Sequence, residues 1–377
     1  PFSPTSPLFE CASGGGLGSP WGGPGYPPIY TYLMGLADSL LPAGTDGKSV
    51  MKTIPILFDY FAAGLLFTIA TIRWGAGWPR IAAYASMMFA PTIVVNGAYW
   101  GQSDIVYSSF IVACILCLLL KSDVWAMIFF GLAFSVKLQS MWFAPFILMM
   151  LLRRRIRWRL LIIPPLVYFI ATIPTLLAGR SALEVMSIYV AQVESQLILN
   201  YTAANIHFLI GYMLRMTGQT DQLTPIIANL SIVFTAILSL YYAWKFSKGR
   251  LTDESMLTAA VISVLLVPQF LPHMHDRYFF LADVLTIVLL VWAPTYWPAA
   301  LLMQFNSFVT YIAFLWGKTL LAHEVLFGLG YFGFTNNLQL VTGLVALASL
   351  VNLGMLVWFW RRLQSRLSDA AARPAGA

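Results

Sequence analysis

Charged side chains are scarce in this chain, and several of them gather in short polar stretches. One reads Pro268-Gln269-Phe270-Leu271-Pro272-His273-Met274-His275-Asp276-Arg277-Tyr278. Arg277 offers a planar fork of donors suited to phosphate oxygens, Asp276 could orient it, and His275 could assist the same contact. The bland alternative is an arginine that only anchors a helix end. His273 and His275 could share a divalent metal, but no third ligand is spaced to match, so no cofactor is indicated. A second stretch, Asn96-Gly97-Ala98-Tyr99-Trp100-Gly101-Gln102-Ser103-Asp104, ends on a carboxylate. Asp104 could cap a helix N-terminus, or take a proton from an acceptor hydroxyl, the base needed for inverting glycosyl transfer. The third, Ser135-Val136-Lys137-Leu138-Gln139-Ser140, sets Lys137 in apolar surroundings. A lone ammonium is expensive there and calls for an anion, either Asp104 or a substrate phosphate. Gln102 and Gln139 suit sugar hydroxyls.

The elements that must position these groups are membrane helices. Hydrophobic residues make up 59% of the 377 and charged residues 10%, against roughly half and a quarter in soluble chains. A soluble surface cannot be built from that composition, and disorder is excluded by the same hydrophobicity. Three cysteines exclude a disulfide scaffold, and Cys114-Ile-Leu-Cys117 lies inside an apolar run, where two small residues on one helical face explain it. The fold class is all-α and polytopic. Spans need about 20 apolar residues, and eleven stretches qualify: 53–72, 81–98, 105–120, 124–136, 141–152, 160–178, 224–243, 255–272, 278–293, 297–316 and 338–360. The fourth and fifth are short enough to be one broken helix or a re-entrant pair.

Basic residues in short loops mark the cytoplasmic side. With Arg153, Arg154, Arg155, Arg157 and Arg159 inside, alternation also places Arg73, Arg80, Lys121, Lys245, Lys248, Arg250, Arg361, Arg362, Arg366 and Arg373 inside, fifteen of the 22 basic residues. Lys48, Lys52, Lys137, Arg180, Arg215, Arg277 and Lys318 fall outside. The net charge of +7 is therefore an orientation signal and not a nucleic-acid footprint. Residues 1–52 form an exterior loop rich in Gly and Pro, 53–360 the membrane domain with an exterior segment at 180–223, and 361–377 a cytoplasmic tail. A chain that starts outside without a signal peptide is expected to have one more N-terminal span in its native form.

On this topology the three polar stretches share the exterior side. Gln192, Glu194, Gln196, Asn200, Tyr201, Asn205 and His207 of the segment 180–223 join them. Asp59 and Asp283 each lie about 9 Å below the exterior rim at 1.5 Å per residue. They suggest a polar cavity opening outward, or else charges paired for structure.

Trp100-Gly101-Gln102-Ser103-Asp104, Lys137-Leu138-Gln139, Asn200 through Asn205, and His273-Met274-His275-Asp276-Arg277-Tyr278-Phe279-Phe280 resemble the prokaryotic Gpi18-like mannosyltransferases. These are GT-C glycosyltransferases related to the second mannosyltransferase of glycosylphosphatidylinositol assembly. Gly25-Tyr26-Pro27-Pro28-Ile29-Tyr30 is similar to their Tyr-Pro-Pro stretch, and the resemblance runs from about 25 to 360 in the expected order. It implies a GT-C fold in a bacterial cytoplasmic membrane, its site facing the periplasm or exterior. It implies a polyprenyl-phosphate sugar as donor and inversion in transfer to a lipid, glycan or protein acceptor. Arg277, Lys137 and His275 would then hold the donor phosphate, with Asp104 as the catalytic base. Gln102, Gln139, Asp276, Tyr278, Asn200 and Asn205 would meet the sugar or acceptor. Such enzymes carry an acid in the first exterior loop, where this chain has only Glu10, Asp38 and Asp46, none in a matching context. The competing function is a non-catalytic GT-C-like subunit of a larger membrane complex. A transporter ranks last, because its polar path would reach both faces.

Overall fold

The computed structural model describes residues 27–194, 198–320 and 336–372. Helices follow the apolar runs. In chain order they are α1 (Pro28–Leu40), α2 (Gly47–Trp74), α3 (Trp78–Met88), α4 (Pro91–Val94), α5 (Asp104–Leu119), α6 (Asp123–Val136), α7 (Ala144–Leu152) and α8 (Ile163–Leu177). Then follow α9 (Ala182–Glu194), α10 (Ile206–Met216), α11 (Thr220–Lys245), α12 (Asp253–Phe270), α13 (Phe280–Trp292), α14 (Trp297–Leu320) and α15 (Asn336–Ala372). A π-turn, Val95–Tyr99, extends α4, and 3-10 turns precede α7 and α8 at Leu138–Phe143 and Trp158–Ile162. Two short parallel strands, β1 (Asn200–Tyr201) and β2 (Met274–His275), pair in register.

All eleven apolar stretches fall on helices, but fewer are long enough to cross a bilayer. Among the described residues six helices are, or seven if the pair Trp78–Met88 and Pro91–Tyr99, bent by 43°, is one broken span. The helices Asp104–Leu119, Asp123–Val136, Leu138–Leu152 and Phe280–Trp292 are shorter than the usual crossing length. The bend has a local cause. Pro91 forces Ala90 into extended backbone, φ −61° and ψ 126°, which interrupts the helix before it. The expectation of an irregular loop to residue 52 is corrected. Glycine and proline crowd the sequence only up to Pro28, which starts α1 where a missing N–H costs nothing. Asp46 then caps α2, accepting from Lys48 N at 3.0 Å and Ser49 N at 3.1 Å. Glu10, Tyr26, Gln196 and Arg373 lie outside the described residues.

The chain divides into two compact units. The first comprises Pro1–Met141 and Arg154–Gln196. Its helices approach closely where residues are small. A Cβ on Gly131 of α6 would stand 2.9 Å from Pro164 Cα and Val167 Cβ of α8, so only glycine admits this spacing. Tyr32 of α1 completes α8 from outside. Its hydroxyl donates to Ala171 O at 3.0 Å and accepts from Thr175 N at 2.9 Å, one residue after Pro174.

The second unit comprises Trp142–Arg153 and Leu197–Ala377. Its centre is α12, buried on every side from Ser255 to Gln269, as a helix apolar all round should be. Arg153 closes the end of α11, donating to the carbonyls of Phe246, Lys248 and Gly249 at 2.6, 2.7 and 2.9 Å. The expected tail continues α15 as helix to Ala372, and Arg366 pairs with Glu254 at 2.7 Å.

Candidate functional site

In the first unit the polar residues converge on the N-terminus of α5. The π-turn and the following loop, with Gly101 at φ +80°, bring Asn96 back over Asp104. Asn96, fully buried, donates from Nδ2 to Asp104 Oδ2 at 3.1 Å, and the other carboxylate oxygen takes the Lys137 ammonium. Lys137 reaches it because the chain leaves α6 there in extended conformation, φ −158° and ψ 138°, before the 3-10 turn begins. The ammonium also lies 5.9 Å from the Tyr107 ring centroid. Of the two anions considered for Lys137, the fold supplies Asp104. Asp104 is the first residue of α5 and not its cap; Ser103 holds the cap position. A carboxylate there also meets the positive end of the helix dipole. Both oxygens of the expected base are thus engaged within the protein. A salt bridge this buried is held by its geometry, with side-chain exposures of 9% for Lys137 and 1% for Asp104.

The remaining first-unit residues surround this cluster in sequence. Gln102 is half-buried and its backbone N–H donates to Asn96 O at 2.9 Å. Gln139 is buried, and its Oε1 makes no hydrogen bond. Asp59 of α2 is buried against the π-turn: a Cβ on Gly97 would stand 3.1 Å from its Oδ2 and 3.4 Å from Pro55 Cβ. Glycine is what lets that carboxylate in.

In the second unit, His275 ends β2 and Arg277 lies in the turn that follows it. From Met274 to Arg277 burial alternates, with Met274 and Asp276 buried and His275 and Arg277 half-buried. The segment is pinned to residues 198–201. His273, at φ +63°, donates from its backbone to Leu199 O at 2.8 Å and from Nδ1 to Ile198 O at 2.7 Å. Asp276 N donates to Tyr201 O at 3.1 Å, and Thr310 Oγ1 to Asp276 O at 2.9 Å. Tyr278 is half-buried just beyond. Asp283, fully buried on α13, accepts from Ser307 Oγ at 2.8 Å, so it takes part in helix packing.

Asn205 corrects one expectation. Its Oδ1 accepts from His207 N at 3.0 Å, Phe208 N at 3.2 Å and Asn200 Nδ2 at 2.6 Å, while Nδ2 donates to Pro268 O at 2.8 Å. His207 Nε2 donates to Phe270 O at 2.8 Å. The carbonyls ending α12 lack helical partners, all the more because Pro272 has no N–H, and these two side chains supply them. A fully buried amide so committed braces the loop and has no donor left for a sugar. Asn200 gives Nδ2 to Ala203 O at 3.1 Å as well as to Asn205, and its Oδ1 makes no hydrogen bond. Burial pushes the His207 imidazole below its ordinary value, so it stays neutral in this brace.

Among the described residues no group of three or more His, Cys, Asp or Glu side chains is placed to hold a metal ion. Asn96 and Tyr107 were not singled out as site residues from sequence. Tyr107 follows Asp104 by three positions, the spacing that puts side chains on one helical face, and that was the available signal.

The family model described as Glycosyltransferase family 87 matches residues 25–272. Among solved structures, a crystal structure of ArnT from Cupriavidus metallidurans bound to undecaprenyl phosphate aligns with 92% of this chain and 68% of that one, at 14% identity and a TM-score of 0.48. No curated protein matches the sequence.

Proposed function

The chain belongs to glycosyltransferase family 87, and on that premise we propose that it moves a hexose, mannose in the first instance, from a polyprenyl-phosphate donor to a lipid, glycan or protein hydroxyl. Transfer occurs with inversion on the exterior face of a GT-C-type domain in a bacterial cytoplasmic membrane. Family membership across 25–272 carries the reading. The excess of basic residues in the loops assigned to the cytoplasm supports the orientation, and the likeness to Gpi18-like enzymes supports mannose. Arg277 and His275, both half-buried, are suited to the donor phosphate, because a guanidinium fork and an imidazole both donate to its oxygens. Asp276 and Tyr278 stay with the sugar in this reading, and Gln102 and Gln139 of the first unit remain suited to hydroxyls. Asn200 can accept from a hydroxyl through Oδ1. Asn205 becomes a brace. Asp104 acts by fixing the Lys137 ammonium, since its oxygens already hold Lys137 and Asn96. In this reading the membrane domain 53–360, with its exterior segment at 180–223, carries the activity, and the helical tail lies on the cytoplasmic side.

The test is transfer from polyprenyl-phosphate mannose by the full chain in liposomes. Arg277→Ala and His275→Ala are expected to abolish it while the protein stays folded; normal turnover in both would overturn the assignment. A second reading, a non-catalytic subunit of a larger membrane complex, draws on the engagement of Asp104. Fixed-stoichiometry co-purification with no turnover would select it.

A further inference from the structure

Four aromatic rings of the second unit run in unbroken contact. Tyr201 and His275 stack nearly parallel, their centroids 4.4 Å apart and planes 13° from parallel. His275 meets Tyr278 at 5.0 Å and 59°, and Tyr278 meets Trp142 at 5.1 Å and 54°. We propose that these rings form a stacking platform for the pyranose ring of a sugar. The proposal rests on the glycosyl-transfer reading and adds Tyr201 and Trp142 to the residues that would define its sugar site.

The fold invests in holding these rings. The register pairs Tyr201 directly with His275, and Thr202 bridges to the same residue. Tyr278 N donates to His275 O at 3.0 Å, which fixes the turn between those two rings. Trp142 is held through its carbonyl, which accepts from Ser263 Oγ at 2.8 Å, while Phe146 N donates to that hydroxyl at 3.2 Å. Burial separates floor from surface. Trp142 is buried, and so is every residue from Phe279 to Leu289, yet Tyr201, His275 and Tyr278 are each half-buried. Rings meant only for packing would follow their neighbours inward. Half-buried aromatic groups with polar edges suit a ligand that is apolar on one face and polar at its rim. A pyranose has that shape: its axial C–H bonds present a weakly positive face to the electron-rich ring face, and its hydroxyls project sideways. Arg277, half-buried between His275 and Tyr278 in sequence, places a cation where a phosphate on that sugar would be met. An isoprenyl chain is apolar all round and makes no use of the imidazole and phenol edges.

The full chain in nanodiscs would be examined by saturation-transfer NMR with methyl α-D-mannopyranoside, methyl β-D-glucopyranoside and methyl β-D-galactopyranoside as probes. Transfer to the ring C–H protons of at least one pyranoside is expected. Tyr201→Leu and Tyr278→Leu should each weaken binding by roughly 3- to 10-fold, the worth of one aromatic contact. Tyr201→Phe and Tyr278→Phe keep the rings and should bind more tightly than the corresponding leucine variants, which also controls for folding. Equal binding by the leucine variants would overturn the platform. So would farnesyl phosphate receiving saturation on its isoprenyl protons, in a Tyr278-dependent way, while no pyranoside does. Tyr278-dependent pyranoside binding without turnover of polyprenyl-phosphate mannose would instead fail the proposed reaction and leave the platform standing.

Discussion

Replacing Lys137 by methionine keeps most of the side-chain volume and removes only the ammonium. What remains is a carboxylate with 1% of its side chain exposed. Breaking a buried pair from one side costs about 3–5 kcal/mol, because the surviving charge stays buried. The amide of Asn96, 3.1 Å from Asp104 Oδ2, is left in place, and a hydrogen bond to a charged group contributes about 1.5–3 kcal/mol. The loss for Lys137→Met is therefore expected at the lower end, about 3 kcal/mol. Asp104→Asn strands the ammonium instead and should cost a similar amount. The double substitution Lys137→Met with Asp104→Asn buries no charge and keeps a polar partner for Asn96, so it should cost no more than about 1 kcal/mol. The coupling between the two sites is then several kcal/mol, above the usual upper figure of about 3 for residues in contact. Reversible unfolding in mixed micelles by titration with sodium dodecyl sulfate, followed by tryptophan fluorescence at pH 7, measures all four proteins. Single-substitution losses under about 1 kcal/mol, or a coupling under about 0.5 kcal/mol, would refute the argument that this pair is buried and mutually dependent.

Three further outcomes follow from other parts of the fold. Gly131→Ala should destabilise by about 1–3 kcal/mol in the same assay, because its Cβ would meet backbone at 2.9 Å; an unchanged unfolding midpoint would contradict the close approach of α6 and α8. Asn205→Ala removes a cap and leaves the end of α12 short of donors, so a loss of about 2 kcal/mol is expected, with faster amide exchange at Phe208; protection equal to the parent would show the brace is dispensable. The Arg157 side chain, donating to Asp123 at 2.8 and 2.9 Å, holds that carboxyl below the usual carboxylate range. Its contribution to stability is present above about pH 4 and is lost as pH falls through the lowered value. An NMR titration of the Asp123 carboxyl should move upward in Arg157→Gln; no movement would sever the link.

Sequence reasoning located the helices because bilayer crossing imposes a long apolar run that composition cannot disguise. It could not count the crossings, since Pro91 divides a run that hydropathy alone reads as one span, and two stretches already legible as short, on either side of Lys137, leave their number open. Asp104 was already one of two partners considered for Lys137, since a buried ammonium must find an anion. Choosing between the protein's carboxylate and a substrate's phosphate required knowing that α6 ends with its lysine facing the start of α5. Asn205 misled for a similar reason. An amide near a polar loop looks like a ligand group, and only the fold shows that the carbonyls of α12 claim it. Nothing local announces that Tyr201 lies beside His275, because parallel pairing across 74 positions leaves no periodic trace.

The hydroxyl of Tyr32 has a mechanical meaning. It bonds to a carbonyl and an amide of α8 beside a proline, so α1 and that stretch of α8 are tied to each other. Lifting α1 away would take that hydroxyl from both groups in a place with no water to replace it. The two helices must therefore enter and leave the folded state together, as parts of one cooperative block. A phenylalanine at position 32 would leave the shape of that block intact while removing its keystone.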